Sequence, residues 1–296
     1  LISAEVGFMK RDDIERRRQE IVDAFGEWTN HNICLQEDLY TIDSHRLVGS
    51  EVKVQRILQI VADWMPNSWE NLRVLDLACL EGLYGLEMAL QGADVVGIEA
   101  RSANLEKARF AKKVLGTKNI SFCQDDVRYF SAEKYGYFDV ILCLGILYHL
   151  DVPDVFSFLE NIAHACRGLV ILDTHVALNA EISYQYQQQT YWGRIYSEHS
   201  PKSSLKERKN VLWSSLDNVQ SFWLTRASLL NFCDRVGFTS VYECHQPLVP
   251  KYEVMRQQKQ ADRATFVAIK GTPTRVKTSS HLYNFPKPQW QEMWET

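Results

Sequence analysis

The chain has no apolar run long enough to cross a membrane. Such a span needs roughly 18–20 residues, and the longest apolar stretch, around Val140–Leu150, is interrupted by Gly145 and His149. It has no CxxC pair either. The seven cysteines stand singly at Cys34, Cys79, Cys123, Cys143, Cys166, Cys233 and Cys244. Neither zinc nor a disulfide framework is therefore expected, and a reducing cytoplasm fits best. There is no excess of basic charge: 33 Lys and Arg stand against 37 Asp and Glu, a formal net charge of -4. No global positive field calls for nucleic acid. Lys202, Lys206, Arg208 and Lys209 form the best basic cluster, the composition of a solvated loop. The early stretch KRDDIERRRQE is charged where a secretory leader would be apolar, so no leader is expected there. No internal repeat is found.

What the chain does have is alternation. Residues 10–27 carry Ile14, Ile21, Val22 and Phe25 on one helical stripe, and a second amphipathic helix is predicted from Glu51 to Trp64, with Ser50 as its candidate N-cap. Between them lies the polar stretch NHNICLQEDLYTIDSHRLVGS. From Leu72 onward, short apolar runs alternate with helices. Strands are predicted at Leu72–Leu77, Asp94–Ile98, Ile120–Cys123, Phe138–Cys143 and Leu169–Leu172, with helices over 82–91, 102–115 and 153–166. The pattern lapses over Thr174–Trp223, a polar, tyrosine- and tryptophan-rich insertion long enough to be functional or to carry its own helices. It resumes with a helix over Arg226–Val236, capped by Thr225, and strands near Ser240–Cys244 and Thr265–Ile269. The fold class is α/β: a doubly wound, mostly parallel seven-stranded sheet, with N-terminal helices and an insertion after the fifth strand. Residues 1–65 are expected to hold the N-terminal helices and a cofactor-covering segment. The core domain is expected at 66–272, with 174–223 as a substrate lid, and a tail over 273–296. The tail sequence HLYNFPKPQW can fold over the site, pack on a second subunit or stay disordered.

In such a sheet, ligands bind beyond the C-terminal strand ends. That rule selects Asp76, Ala78 and Gly82 after the first strand, Glu99 after the second, and Asp125 and Asp126 after the third. Leu144, Tyr148 and His149 follow the fourth, and Asp173 and His175 the fifth. An acidic residue ending the second strand can take both hydroxyls of a ribose, or be a surface carboxylate; Asp126 can read an adenine amine or make a turn. Two glycines are missing. In RVLDLACLEGLYG, Ala78 and Leu80 occupy places where a dinucleotide loop has glycine so that its backbone can approach a pyrophosphate. A cofactor without phosphate suffers less from side chains there, and S-adenosylmethionine is such a cofactor.

The stretch VLDLACLEGLYGLEMALQGADVVGIEA resembles the first two motifs of class I S-adenosylmethionine-dependent methyltransferases. FCQDDV and FDVILCLGILYHL resemble their third- and fourth-strand motifs, and the resemblance covers roughly residues 70–175. It implies a Rossmann-like fold and a set of roles. Asp76 would hold the first loop and lie near the methionine amino group, with Ala78 and Gly82 supplying backbone around the methionine tail. Glu99 would bind the ribose, with Ala100 and Arg101 beside it. Asp126 and Val127 would flank the adenine, and the Leu144 backbone would face the methionine amino group. Tyr40 and Thr41 resemble a segment that closes over the cofactor in some relatives. GILYHL and SFWLTRASLLNFCDRVGF resemble a subgroup of small-molecule and tRNA wobble-uridine carboxymethyl-transferring enzymes. Leu150-Asp151 stand where the tRNA enzymes continue with basic residues, which favours ordinary S-adenosylmethionine.

Methyl transfer is an in-line displacement that depends on orientation and, for an oxygen or protonated nitrogen acceptor, on a base. His149 and His175 are the candidates, with Asp173 as an orienting partner; each can equally be a loop cap or packing residue. Tyr148, Tyr191, Trp192, Arg194, Glu198, His199 and Trp223 are the candidate acceptor contacts, Arg194 for a carboxylate or phosphate, although aromatics in an insertion often pack internally. No metal ligand set is expected. The leading reading is methyl transfer to an oxygen or nitrogen of a small molecule. The alternatives are a tRNA-modifying methyltransferase, a nicotinamide-dependent oxidoreductase, and a non-catalytic partner that keeps the fold.

Overall fold

The apolar runs form strands and the amphipathic segments between them form helices. The computed structural model describes residues 9–42, 50–244 and 262–279. In chain order it begins with α1 (Arg11–Phe25), the hairpin β1 (Cys34–Gln36) and β2 (Leu39–Tyr40), and α2 (Ser50–Trp64). The alternation follows: β3 (Arg73–Leu77), α3 (Leu83–Gln91), β4 (Asp94–Glu99), α4 (Ser102–Leu115), β5 (Ile120–Gln124), α5 (Ala132–Tyr135) and β6 (Phe138–Leu144). Next come α6 (Asp154–Ala165), β7 (Cys166–Val176), β8 (Ile182–Tyr186), β9 (Gln189–Ser197) and α7 (Leu205–Asn210). The last elements are β10 (Gln220–Leu224), α8 (Arg226–Arg235), β11 (Ser240–Glu243) and β12 (Asp262–Ile269). The seven-stranded sheet has the order β11-β12-β7-β6-β3-β4-β5. Strands β3, β4 and β5 pair in parallel, and β12 runs antiparallel to both β7 and β11. The expected fold class holds.

The chain forms two compact units, Leu1–Tyr129 with Phe138–Leu142, and Phe130–Tyr137 with Cys143–Thr296. The expected division at residues 65 and 272 follows chain order, whereas the compact units interleave it. The tail sequence at 281–290 lies outside the described residues.

In the first unit Val74, Leu75, Leu77, Val95 and Ile98 are fully buried, as strands covered on both faces require. Each such side chain contributes about 1.5–3 kcal/mol relative to exposure. Helix α1 packs on α4. After α1, residues 26–42 form a strap whose Trp28, Ile33, Leu35 and Leu39 are buried.

In the second unit the 174–223 insertion departs from expectation. Apart from the short α7, its regular structure is a three-stranded antiparallel sheet of order β10-β9-β8 where helices were the expected alternative. Ile182, Tyr184 and Tyr186 alternate along β8, as a strand demands. The turn to β9 is Gln187-Gln188, both left-handed at φ 46° and 69°. This is the backbone of a type I′ turn without the Asn-Gly or Asp-Gly that announces one in sequence. The hairpin's tyrosines surround Phe156 of α6, with ring centroids at 4.7 Å for Tyr186 and 5.0 Å for Tyr191.

Candidate functional site

The loop after β3 keeps a glycine backbone without the glycines. Ala78 and Leu80 have φ of 53° and 50°, and Gly82 has 89°. At Gly82 a side chain has no room: an added Cβ would lie 3.0 Å from both Ala108 Cβ and Phe122 Cζ.

The loop's N–H groups point inward. Cys79 N–H donates to the Ile98 carbonyl at 2.9 Å and Gly82 N–H to the Cys79 carbonyl at 2.8 Å. Leu80 N–H donates to Glu99 Oε2 at 3.0 Å, Leu83 N–H to His31 Nδ1 at 3.2 Å, and Gly85 N–H to Asp76 Oδ2 at 2.9 Å. A pyrophosphate site needs such groups free to face the ligand. Here five of them already have partners.

Three buried side chains organise this loop. Asp76 is held neutral more readily than an ordinary aspartate: burial, reinforced by the Glu99 charge against the Gly85 N–H bond, pushes its pKa up to about 7. Glu99 is buried and also accepts from Arg101 N–H at 2.8 Å. Burial raises its pKa, opposed by the Arg101 and Leu80 N–H groups, the Arg101 charge and Asn104. A carboxylate offers about four acceptor positions, so two backbone bonds leave Glu99 able to accept a pair of hydroxyls. His31 accepts the Leu83 N–H, which requires a neutral ring. Its burial pushes the pKa down to about 4.

Glu81 ties the strap to the loop. It is fully buried and accepts from Thr29 N–H at 2.8 Å and His31 N–H at 3.0 Å. Lys107 Nζ, equally buried, lies 3.5 Å from Glu81 Oε1 and donates to the Glu27 carbonyl at 2.5 Å. Thr41 closes the strap: its hydroxyl donates to the His31 carbonyl at 2.7 Å and accepts from Ile33 N–H at 2.8 Å. Tyr40 beside it is half-buried. Asp126 is gripped by Arg128, whose Nε lies 3.0 Å from Oδ2, while Val127 is buried. Ala100 and Arg101 are half-buried.

The second unit gathers the histidines. His149 Nδ1 lies 2.9 and 3.1 Å from the two oxygens of Glu198. His175 stacks on Trp223, centroids 4.8 Å apart and 12° from parallel, and meets Tyr148 edge-on at 4.8 Å. Asp173, expected as an orienting partner for a histidine, takes Arg263 Nε at 2.7 Å and Thr265 Oγ1 at 2.8 Å. Arg263 in turn donates to the Tyr148 hydroxyl at 3.1 Å. Leu144, at the end of β6, is half-buried. Trp223 Nε1–H donates to the Tyr148 carbonyl at 2.9 Å, and the Arg194 guanidinium sits 4.9 Å from the Trp223 ring centre.

A family model described as a methyltransferase domain matches residues 68–218, half of the chain. The chain belongs to the methyltransferase domain family. Among curated relatives, the ubiquinone biosynthesis O-methyltransferase of Acinetobacter baylyi is 35% identical over 104 residues, 35% of this chain and 41% of the relative. That of Rickettsia conorii is 28% identical over 159 residues, 53% of this chain and 50% of the relative. The chain thus spans half or less of these relatives' length. Among solved structures, the N-terminal domain of EvdMO1, crystallised in the presence of SAH and D-fucose, has a TM-score of 0.68 at 23% identity. It covers 90% of this chain and 99% of its own. That likeness shows the fold.

Within this methyltransferase fold, several expected acceptor contacts do structural work. Tyr191 is 1% exposed and packs on Phe156 and Phe232, so it belongs to the core. His199 is buried, with Nε2 2.8 Å from the Ser215 carbonyl oxygen. The Trp192 backbone bridges Ser228 and Thr225. Glu198, expected to touch the acceptor, instead faces His149. Sequence reasoning missed His31, Glu81, Lys107 and Arg263. Lys107 carried a signal, as a charged residue on the largely apolar buried face of α4; Glu81, in the turn before α3, and Arg263 carried none. Among the described residues no group of His, Cys, Asp and Glu is arranged to hold a metal, and no helix is long and apolar enough to cross a membrane.

Proposed function

We propose that this chain transfers a methyl group from S-adenosylmethionine to an oxygen or nitrogen of a small-molecule acceptor. The observation that carries the reading is the inward-facing loop. With the N–H groups of Cys79, Leu80, Gly82, Leu83 and Gly85 all bonded within the protein, a phosphate finds few donors, whereas Glu99 retains acceptor positions for a ribose. The residues fit an adenosine cofactor without phosphate. The SAH in the EvdMO1 domain crystals and the O-methyltransferase relatives support the same reading.

Each residue then has a task. Glu99 accepts the ribose hydroxyls, flanked by Ala100 and Arg101. Asp126, steadied by Arg128, and Val127 flank the adenine. Ala78 and Gly82 give backbone to the methionine tail, Asp76 fixes the loop, and the Leu144 carbonyl accepts from the amino group. Tyr40 and Thr41 close the strap on that side. When bound, the cofactor supplies an electrophilic methyl on a positive sulfur. A histidine of the second unit takes the acceptor's proton, and Tyr148, Trp223 and Arg194 are the acceptor contacts.

Calorimetric titration with S-adenosylmethionine, S-adenosylhomocysteine and NAD tests this. Micromolar binding of the first two and none of NAD is expected, with Glu99→Ala weakening binding by about 10- to 100-fold, the loss of a charged hydrogen-bond acceptor. Binding of NAD, or unchanged affinity in Glu99→Ala, overturns the reading.

A further inference from the structure

We infer that His149 is the proton acceptor for a hydroxyl-bearing substrate, and that Glu198 is its positioning residue; the inference rests on the methyl-transfer reading above. Glu198 is a β9 neighbour whose side chain is 1% exposed. Around it every partner is a donor. Oε1 takes the Ser221 hydroxyl at 2.8 Å and Oε2 the Ser215 N–H at 2.9 Å, and both oxygens face His149 Nδ1. A carboxylate only accepts, so Nδ1 must carry a proton. In the neutral ring the lone pair then lies on Nε2, which has no hydrogen-bond partner among the described residues. The ring is also fixed from its backbone: Asn218 Nδ2 donates to the His149 carbonyl at 3.1 Å. His149 keeps 15% of its side chain exposed, so one edge stays open while the other is clamped.

His175 has different surroundings. The carboxylate two residues before it, Asp173, is committed to Arg263 and Thr265, and the His175 ring is stacked on Trp223. Among the described residues, the titratable groups in contact with His149 are Glu198 and Tyr148, whose ring centroid is 4.3 Å away. The Tyr148 hydroxyl is in turn held by the Arg263 cation.

The step balances. His149 Nε2 takes the acceptor's O–H proton as the oxygen lone pair bonds to the methyl carbon and the C–S pair returns to sulfur. The imidazolium so formed is stabilised by Glu198 and releases its proton to solvent. A base of this kind is needed by a hydroxyl acceptor, a phenol or a sugar alcohol, and not by a neutral amine.

The test uses the intact chain with Glu198→Gln, Glu198→Asp and His149→Asn. Long-range ¹H–¹⁵N correlation spectra of the imidazole should show Nδ1 protonated and Nε2 bare. Glu198→Gln should let the Nε2–H tautomer appear in the same spectra, because the amide can turn its NH2 toward Nδ1, and Glu198→Asp should restore part of the Nδ1–H form. Methyl transfer to catechol and to D-fucose, as hydroxyl probes, should fall about 100-fold or more in kcat in His149→Asn and Glu198→Gln. KM should change little. A proton on Nε2 in the parent, or a tautomer indifferent to Glu198→Gln, overturns the proposal whether or not either probe is methylated. If Glu198→Gln does not fold, Glu198→Asp carries the test alone: its shorter side chain draws the carboxylate back from Nδ1, and kcat should fall by a smaller factor. S-adenosylmethionine titrations on the same samples separate the two claims: their failure defeats the cofactor reading, not the His149 tautomer.

Discussion

Asp76 and His31 pull the stability of the same loop in opposite directions with pH. Asp76 keeps its proton in the folded state up to about 7, but in the unfolded chain releases it near 3.9. Between those values the folded state binds more protons, so its contribution is lost as pH rises through about 7. His31 is the reverse: its folded pKa of about 4 lies below an unfolded value near 6.5. The unfolded chain takes the proton first, and stability falls as pH drops from about 6.5 to 4. A comparison of Asp76→Asn with the parent removes the histidine from the difference, since both proteins carry it. Asparagine still accepts the Gly85 N–H but has no charge to bury. Denaturant melts at pH 5 and pH 8 should therefore show the variant gaining on the parent as pH rises, by no more than about 4 kcal/mol. A constant gap would mean that Asp76 is ionised throughout. Ala78 and Leu80 bear a further cost, roughly 1–2 kcal/mol for each left-handed residue with a side chain.

The β8–β9 hairpin allows a test at the scale of an element. Its two turn residues are glutamines in a conformation suited to Asn-Gly. Replacing Gln187-Gln188 by Asn-Gly should stabilise the protein by about 0.5–2 kcal/mol in thermal melts without altering cofactor affinity; destabilisation would show that the Gln187 contact with Glu160 matters more than the backbone. The same turn explains what was legible. The strands of the large sheet were readable because each is a buried run bounded by turn residues, and their predicted ends differ from the observed ones by few residues except at β7. The insertion was not readable as sheet, because its turn lacks glycine and its tyrosines serve helical and strand packing alike. The loop residues Asp76, Gly82 and Glu99 could be found from their places after strands. The partnership of His149 with Glu198 joins positions 49 apart, and no local pattern announces it. Asp173 was a reasonable partner for a histidine by proximity in sequence, until Arg263 came 90 positions later to claim it.

Across the whole molecule, charge argues against a polyanionic partner. With a net charge of -4, tRNA should show no binding at about 150 mM salt, where unspecific association depends on phosphate neutralisation. Filter-binding retention that weakens steeply with added salt would instead reveal a local basic surface. The family match covers residues 68–218, so it leaves the strap of the first unit and the end of the second without a counterpart in that domain. Those segments nonetheless supply residues that shape both clusters: His31 to the loop, Arg263 to Asp173 and Tyr148.

The loop after β3 has one more consequence, which concerns competition in a mixture of nucleotides. Its shape exists before any ligand arrives, because His31, Glu99 and Asp76 already hold its amides. A phosphorylated nucleotide entering there would have to break one internal bond for each it made, at about 1–3 kcal/mol for every donor or acceptor left stranded. Rejection of the wrong adenosine derivative is thus a property of the empty protein. It is exercised by a histidine ring from a distant strap, and loosening that strap should blunt discrimination before it harms affinity.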